Sequence, residues 1–123
     1  MVNEQRLLNY GLEMGADLST CQYCAVMVDE LGKVVPARAG KNADGILQDM
    51  PSMAGQMGTV ALFGVSRALA SSNGFRAGEL LEVSDGGRLQ KANTGTVVAK
   101  ALATAEPGNF GTVLILKSNA AYW

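Results

Sequence analysis

Apolar and polar residues alternate along most of this chain in short runs, and the runs are separated by turn residues, a pattern of strands rather than helices. Residues 22–29 (QYCAVMVD) and 33–39 (KVVPARA) flank Glu30-Leu31-Gly32-Lys33, which predicts a hairpin. A polar loop, GKNADG, leads to ILQDM, and PSMAGQMG then breaks the chain before its longest apolar run. That run, TVALFGVSRALA, sets Val60, Leu62, Gly64 and Ser66 on one face and Ala61, Phe63, Val65 and Arg67 on the other. Gly64 in its middle predicts a bulge or a close backbone approach. Downstream, SSNG marks a turn, AGELLEV and RLQKA flank the hairpin signal Ser84-Asp85-Gly86-Gly87, and EPGNFG separates GTVVAKALATA from a closing TVLILK. Turns every 8 to 12 residues predict an all-β fold, a small barrel or sandwich.

Two stretches resist this reading. GTVVAKALATA mixes helix formers with valines and is assigned to a strand by context. Near the N-terminus, Asn3 offers an N-cap and Leu7, Leu8, Leu12 and Met14 an incomplete apolar stripe that Gly11 interrupts, which predicts a weak helix or an arm. The expected organisation is therefore an arm over residues 1–14 and a β-domain over residues 15–123.

Composition narrows the function. Ten basic and eleven acidic residues leave a net charge of −1, so no bulk field attracts nucleic acid or an anionic membrane. No apolar run approaches the ~18–20 residues of a membrane span, and the charged N-terminus lacks the apolar centre of a secretory signal, so a soluble protein made in a cytoplasm is expected. Histidine is absent, which removes the commonest general base and the commonest nitrogen ligand of zinc. Neither a phosphate loop nor a nucleophile elbow is present, and Asp44, Asp49, Glu79, Glu82 and Asp85 lie in or beside turns. No enzymatic site, cofactor or metal is expected.

The remaining chemistry lies in the two cysteines, Cys21 and Cys24. If they belong to the strand that follows, Cys21 shares a face with Tyr23, Ala25 and Met27, and Cys24 shares the other with Gln22, Val26 and Val28. Extended backbone then holds their Cα atoms about 10 Å apart, too far for a bridge. Cys24 is expected to be a buried thiol, and Cys21 to lie at a surface or subunit boundary, a candidate for an intersubunit disulfide. A redox or metal-binding role tied to this pair, and a glycan-binding barrel in which Tyr122 and Trp123 stack on sugar, are the rival readings.

The order of these motifs resembles that of the capsid decoration, or cement, proteins of tailed bacteriophages. GADLSTCQYCAVMVDELGKVVPARAGKNADGILQDMP is similar to the family's opening, with its Gly-Ala-Asp-Leu, its Asp-x-x-Gly-Lys-Val hairpin and its Ala-Asp-Gly-Ile-Leu-Gln segment. GTVALFGVSRALASSNGFRAGELLEVSDGGRLQKA and TVVAKALATAEPGNFGTVLIL are similar to its central and closing strands, so the resemblance spans residues 15–116. The cysteines, the first 14 residues and the tail NAAYW depart from the family pattern. The resemblance implies a non-enzymatic β-domain that forms homotrimers, binds the major capsid protein on the outer surface of the virion and stabilises joints between capsid subunits. Leu7, Leu8, Tyr10 and Leu12 of the arm are then the expected contact with the shell or a neighbouring protomer. On this reading, deleting residues 1–14 weakens attachment and leaves the β-domain folded.

Overall fold

The computed structural model of the protein describes residues 8–49 and 54–116. Among the described residues, nine strands make up one sheet: β1 (Leu8–Glu13), β2 (Ala25–Val28), β3 (Val34–Pro36), β4 (Gly45–Leu47), β5 (Met57–Leu69), β6 (Leu80–Val83), β7 (Leu89–Lys91), β8 (Ala99–Ala101) and β9 (Phe110–Ile115). All ladders between them are antiparallel, in the order β3-β2-β4-β5-β9-β8-β6-β7, with β1 also on β5. The all-β expectation holds. Among the described residues, the single helical element is a 3-10 turn at Asp85–Gly87, and no helix is long and apolar enough to cross a membrane.

The sheet curls twice. Its first half runs β1-β5-β4-β2-β3, and a parallel bridge from Val34 to Met14 brings β3 back beside the end of β1. Its second half runs β5-β9-β8-β6-β7, and a parallel bridge between Ala70 and Leu89 returns β7 to the end of β5. β5 belongs to both: residues 57–63 pair with β1, and residues 64–69 pair with β9 along the same edge. Gly64 sits at the handover with φ of +100°, a left-handed conformation that favours glycine, so the predicted backbone irregularity is where the strand changes partner.

Each half encloses its own apolar cluster. The smaller contains Met14, Leu18, Val26, Val34, Leu47 and Val60; the larger is built around Leu81, Val83, Leu89, Val98, Val113 and Phe75. β2, β4 and the middle of β5 form a partition between them: Ala25, Ile46 and Ala61 face the larger cluster, while Val26, Leu47 and Val60 face the smaller. Strands covered on both faces read as continuous apolar runs, which is why Gly45-Ile46-Leu47 is buried at every position. Gly45 has no room for a side chain, because a Cβ there would strike the Ala61 carbonyl and the Val60 side chain.

Two sequence expectations are corrected. The stretch read as a weak helix or arm is strand β1 through Leu8–Glu13, with Tyr10 opposite Val60 and Leu12 opposite Gly58. Leu8, Tyr10, Leu12 and Met14 alternate at period two, and this edge of β5 selects that period over the incomplete helical one. Strand β2 begins at Ala25, so Cys21 and Cys24 do not alternate on a strand; they close a turn in which the Cys24 amide donates to the Cys21 carbonyl at 2.9 Å. Tyr23 inside this turn takes φ of +66°, which ends the extended run before it reaches Cys21.

Candidate interaction surface

Paired residues on neighbouring strands point to the same face of a sheet, so the ladders fix what the outer surface of the second half presents. One row crosses four strands: Leu80 on β6, Lys100 on β8, Leu114 on β9 and Val65 on β5. Below it, Arg67 pairs with Thr112 and Leu69 with Phe110. Leu80, Phe110 and the adjoining Leu102 are each close to half exposed, at 48%, 47% and 46%. Lone exposed apolar residues need no explanation, whereas several on one face mark a surface that is suited to being covered. Its charges are the cations Arg67 and Lys100, and no carboxylate occupies these paired rows.

An aromatic cluster stiffens one end of this face. Tyr23 meets Phe110 edge-on, with ring centroids 5.5 Å apart and planes at 81°, and the Arg67 guanidinium lies 5.9 Å from the Tyr23 centroid. The backbone holds the tyrosine there: its amide donates to Leu47 O at 2.7 Å, and its carbonyl accepts from the Leu69 amide at 2.9 Å. Beside Phe110 runs a shallow groove of about 460 Å³ lined by Arg67, Thr104, Asn109 and Thr112.

A second groove of about 550 Å³ is lined by Asn73, Arg76, Glu79, Gln90, Lys91 and Glu106. It offers hydrogen-bonding groups but no stacking platform, since the aromatic beneath it, Phe75, is only 4% exposed. Tyr122 and Trp123, the candidate sugar-stacking residues, lie outside the described residues, as does Leu7. Leu8 and Tyr10 are placed by register on β1, opposite Phe63 and Val60, and Leu12 packs half-buried on the smaller cluster of its own chain. Cys24 is 1% exposed and Cys21 is half-buried. Among the described residues, no group of three or more Cys, Asp or Glu side chains converges as metal ligands.

One carboxylate is withdrawn from solvent. Glu82, 6% exposed, accepts hydrogen bonds from Gln90 Nε2 at 2.8 Å, the Asn93 amide at 3.1 Å and the Gly95 amide at 2.6 Å. These bonds, led by that from Gln90, hold its pKa below the ordinary 4.5, and those from Asn93 and Gly95 fasten the 93–97 loop to β6, while Thr96 N separately donates to Gly40 O at 3.1 Å. Because the folded state binds this proton more weakly than the unfolded chain, the stabilisation is complete above the unfolded value and is lost as pH falls through the folded one. Glu82→Gln is expected to cost about 1.5–3 kcal/mol at neutral pH, the scale of hydrogen bonds to a charged group. It should also flatten the acid limb of a stability-against-pH curve below about 4.5. Urea melts across that range test both effects, and an unchanged acid limb would show that Glu82 does not contribute to it.

No family model and no curated protein matches the sequence. Among solved structures, the fold is similar to the N base of the head fiber gp8.5 of bacteriophage phi29, with a TM-score of 0.69 and 14% identity over 95% of this chain and 100% of that one. At that identity the likeness establishes a shared fold.

Proposed function

We propose that this chain is a structural component of a phage head, a decoration protein that binds the outside of the capsid and stabilises contacts between major capsid protein subunits. The observation that carries this reading is the likeness of nearly the whole chain to the N base of a phage head fiber. The ordered turn motifs over residues 15–116 support it independently, because they are similar to those of phage decoration proteins. In this role the protein has no catalytic site and needs no cofactor; it works by adding contact area. As a homotrimer it joins several capsid subunits at once, and many weak contacts engaged together hold far more tightly than any one of them. The outer face with Leu80, Leu102 and Phe110 supplies apolar area for such contacts, and Arg67 and Lys100 favour an acidic counterpart.

Immunogold labelling of intact virions with an antibody to this chain tests the placement. Label over the head exterior is the expected result; label confined to tails, or none on particles, overturns the reading. Sedimentation of the purified protein tests the trimer, and a monomer at every concentration together with monomeric density on the capsid excludes it.

A further inference from the structure

The two thiols that period two sends to opposite faces meet on one turn. The Cys24 amide donates to the Cys21 carbonyl at 2.9 Å, and the Cys21 amide donates to Leu18 O at 3.0 Å, so two successive turns fold the chain back on itself. A β-turn brings the Cα atoms of its first and fourth residues within about 7 Å, and disulfides span Cα separations of about 4.4–6.8 Å. The side chains are neighbours as well, since Cys21 is among the groups that act on the Cys24 thiol and push it upward. Both are free thiols here.

The turn occupies the partition between the two clusters. Cys21 packs against the smaller cluster, Tyr23 packs against the larger, and Ala25 belongs to the larger. Cys24 O accepts from the Leu47 amide at 3.0 Å, and the Cys24 side chain lies against Gly87. A covalent link here joins the segment in which the two cores meet.

We infer that Cys21 and Cys24 form an intramolecular disulfide when the protein meets a small-molecule disulfide such as oxidised glutathione, converting a hydrogen-bonded turn into a covalent one. In the first step the Cys21 thiolate attacks one sulfur of the small disulfide. That S–S bond breaks, a mixed disulfide forms on Cys21, and the departing thiolate takes a proton from solvent. In the second step Cys24 gives its proton to solvent and its thiolate attacks Cys21 Sγ, expelling the second small thiolate, which is protonated in turn. Two protein thiols are oxidised by two electrons, and one small disulfide is reduced to two thiols.

Exposure sets the order. Cys21 is half-buried and open to attack, whereas Cys24 is 1% exposed and reaches only its neighbour. Desolvation, and then the adjacent Cys21, push the Cys24 thiol up to about 12, so the closing step accelerates with rising pH. The bond forms in an oxidising medium and not in a reduced cytoplasm.

The test incubates the purified full chain with oxidised glutathione at mildly alkaline pH and reads intact mass. The wild type is expected to lose two hydrogens and retain no glutathione, and its unfolding midpoint should rise and fall back when reductant is added. Cys24→Ala should stop at one glutathione adduct, and Cys21→Ser should remain unmodified over the time in which the wild type reacts to completion. A wild type that keeps a stable adduct, keeps both thiols, or runs as a Cys21-dependent dimer on a non-reducing gel overturns the inference. Retention of the sheet signature in far-UV circular dichroism establishes that each variant is folded before it is scored.

Discussion

A chain lacking residues 1–14 is expected to lose its cooperative fold, not merely its attachment. The segment resembles a detachable arm in sequence, yet Leu8–Glu13 pair with β5 from Phe63 to Met57, and Met14 is completely buried in the smaller cluster. The Met14 amide donates to Gln56 O at 2.8 Å, and the Gly15 amide donates to Val34 O at 2.7 Å at the closure of the first half. Emptying the Met14 site alone is comparable to a buried Met→Ala change, about 2–5 kcal/mol. Loss of the ladder adds an exposed strand edge. A domain of 123 residues has a total stability of roughly 6–18 kcal/mol, so the combined loss approaches the whole. The truncated chain should show no sigmoidal urea transition and should bind a hydrophobic dye. A soluble truncate with native circular dichroism and a normal melt would return the segment to the status of an arm.

Gly87→Ala is expected to destabilise the fold by about 3–5 kcal/mol, while the same change one residue earlier costs only about 1–2 kcal/mol. Both glycines have positive φ, +72° at Gly86 and +84° at Gly87, so both substitutions carry left-handed strain. What separates them is space. A Cβ on Gly86 meets nothing within 4 Å, but a Cβ on Gly87 lies 2.5 Å from the Ala25 carbonyl and 3.2 Å from Cys24 Cβ, where the β6–β7 hairpin presses on the partition. A carbonyl in a ladder cannot move aside as a flexible side chain can. Paired denaturant melts of the two variants test this, and equal midpoints would mean that the close approach carries no energetic weight.

How much of this was legible in the sequence depended on how local the cause was. The hairpin at Glu30–Lys33 is fixed by its own residues: Asp29 Oδ1 accepts from the Leu31 and Lys33 amides, and Gly32 supplies φ of +79°. SSNG likewise closes on itself, the Gly74 amide donating to Ser71 O at 3.0 Å. Such turns can be read directly. The partition cannot, because a strand covered on both faces shows no alternation, and period two then says nothing about which side a residue takes. The cysteine turn was missed for a related reason: Tyr23 adopts a left-handed conformation that its residue type does not announce, held by bonds to Leu47 and Leu69 that are distant in sequence. Strand β1 did carry a signal, the alternation of Leu8, Tyr10, Leu12 and Met14, but Gly11 and the adjacent Leu7 also suit a broken helix, and only the free edge of β5 decides between them. The outer face is a product of register across four strands, so no single segment displays it.

The length of β5 has a mechanical consequence. Its thirteen residues span up to about 43 Å at the usual rise, with β1 and β9 lying end to end along one of its edges. A tensile force drawing the two halves apart along this strand runs down a continuous covalent backbone and loads the flanking hydrogen bonds in shear, so that they yield together. Force applied across the sheet at β3 or β7 opens ladders of three residue pairs one bond at a time. The molecule is therefore stiff along one axis and weak across it, and the direction of a load decides whether it resists or unzips.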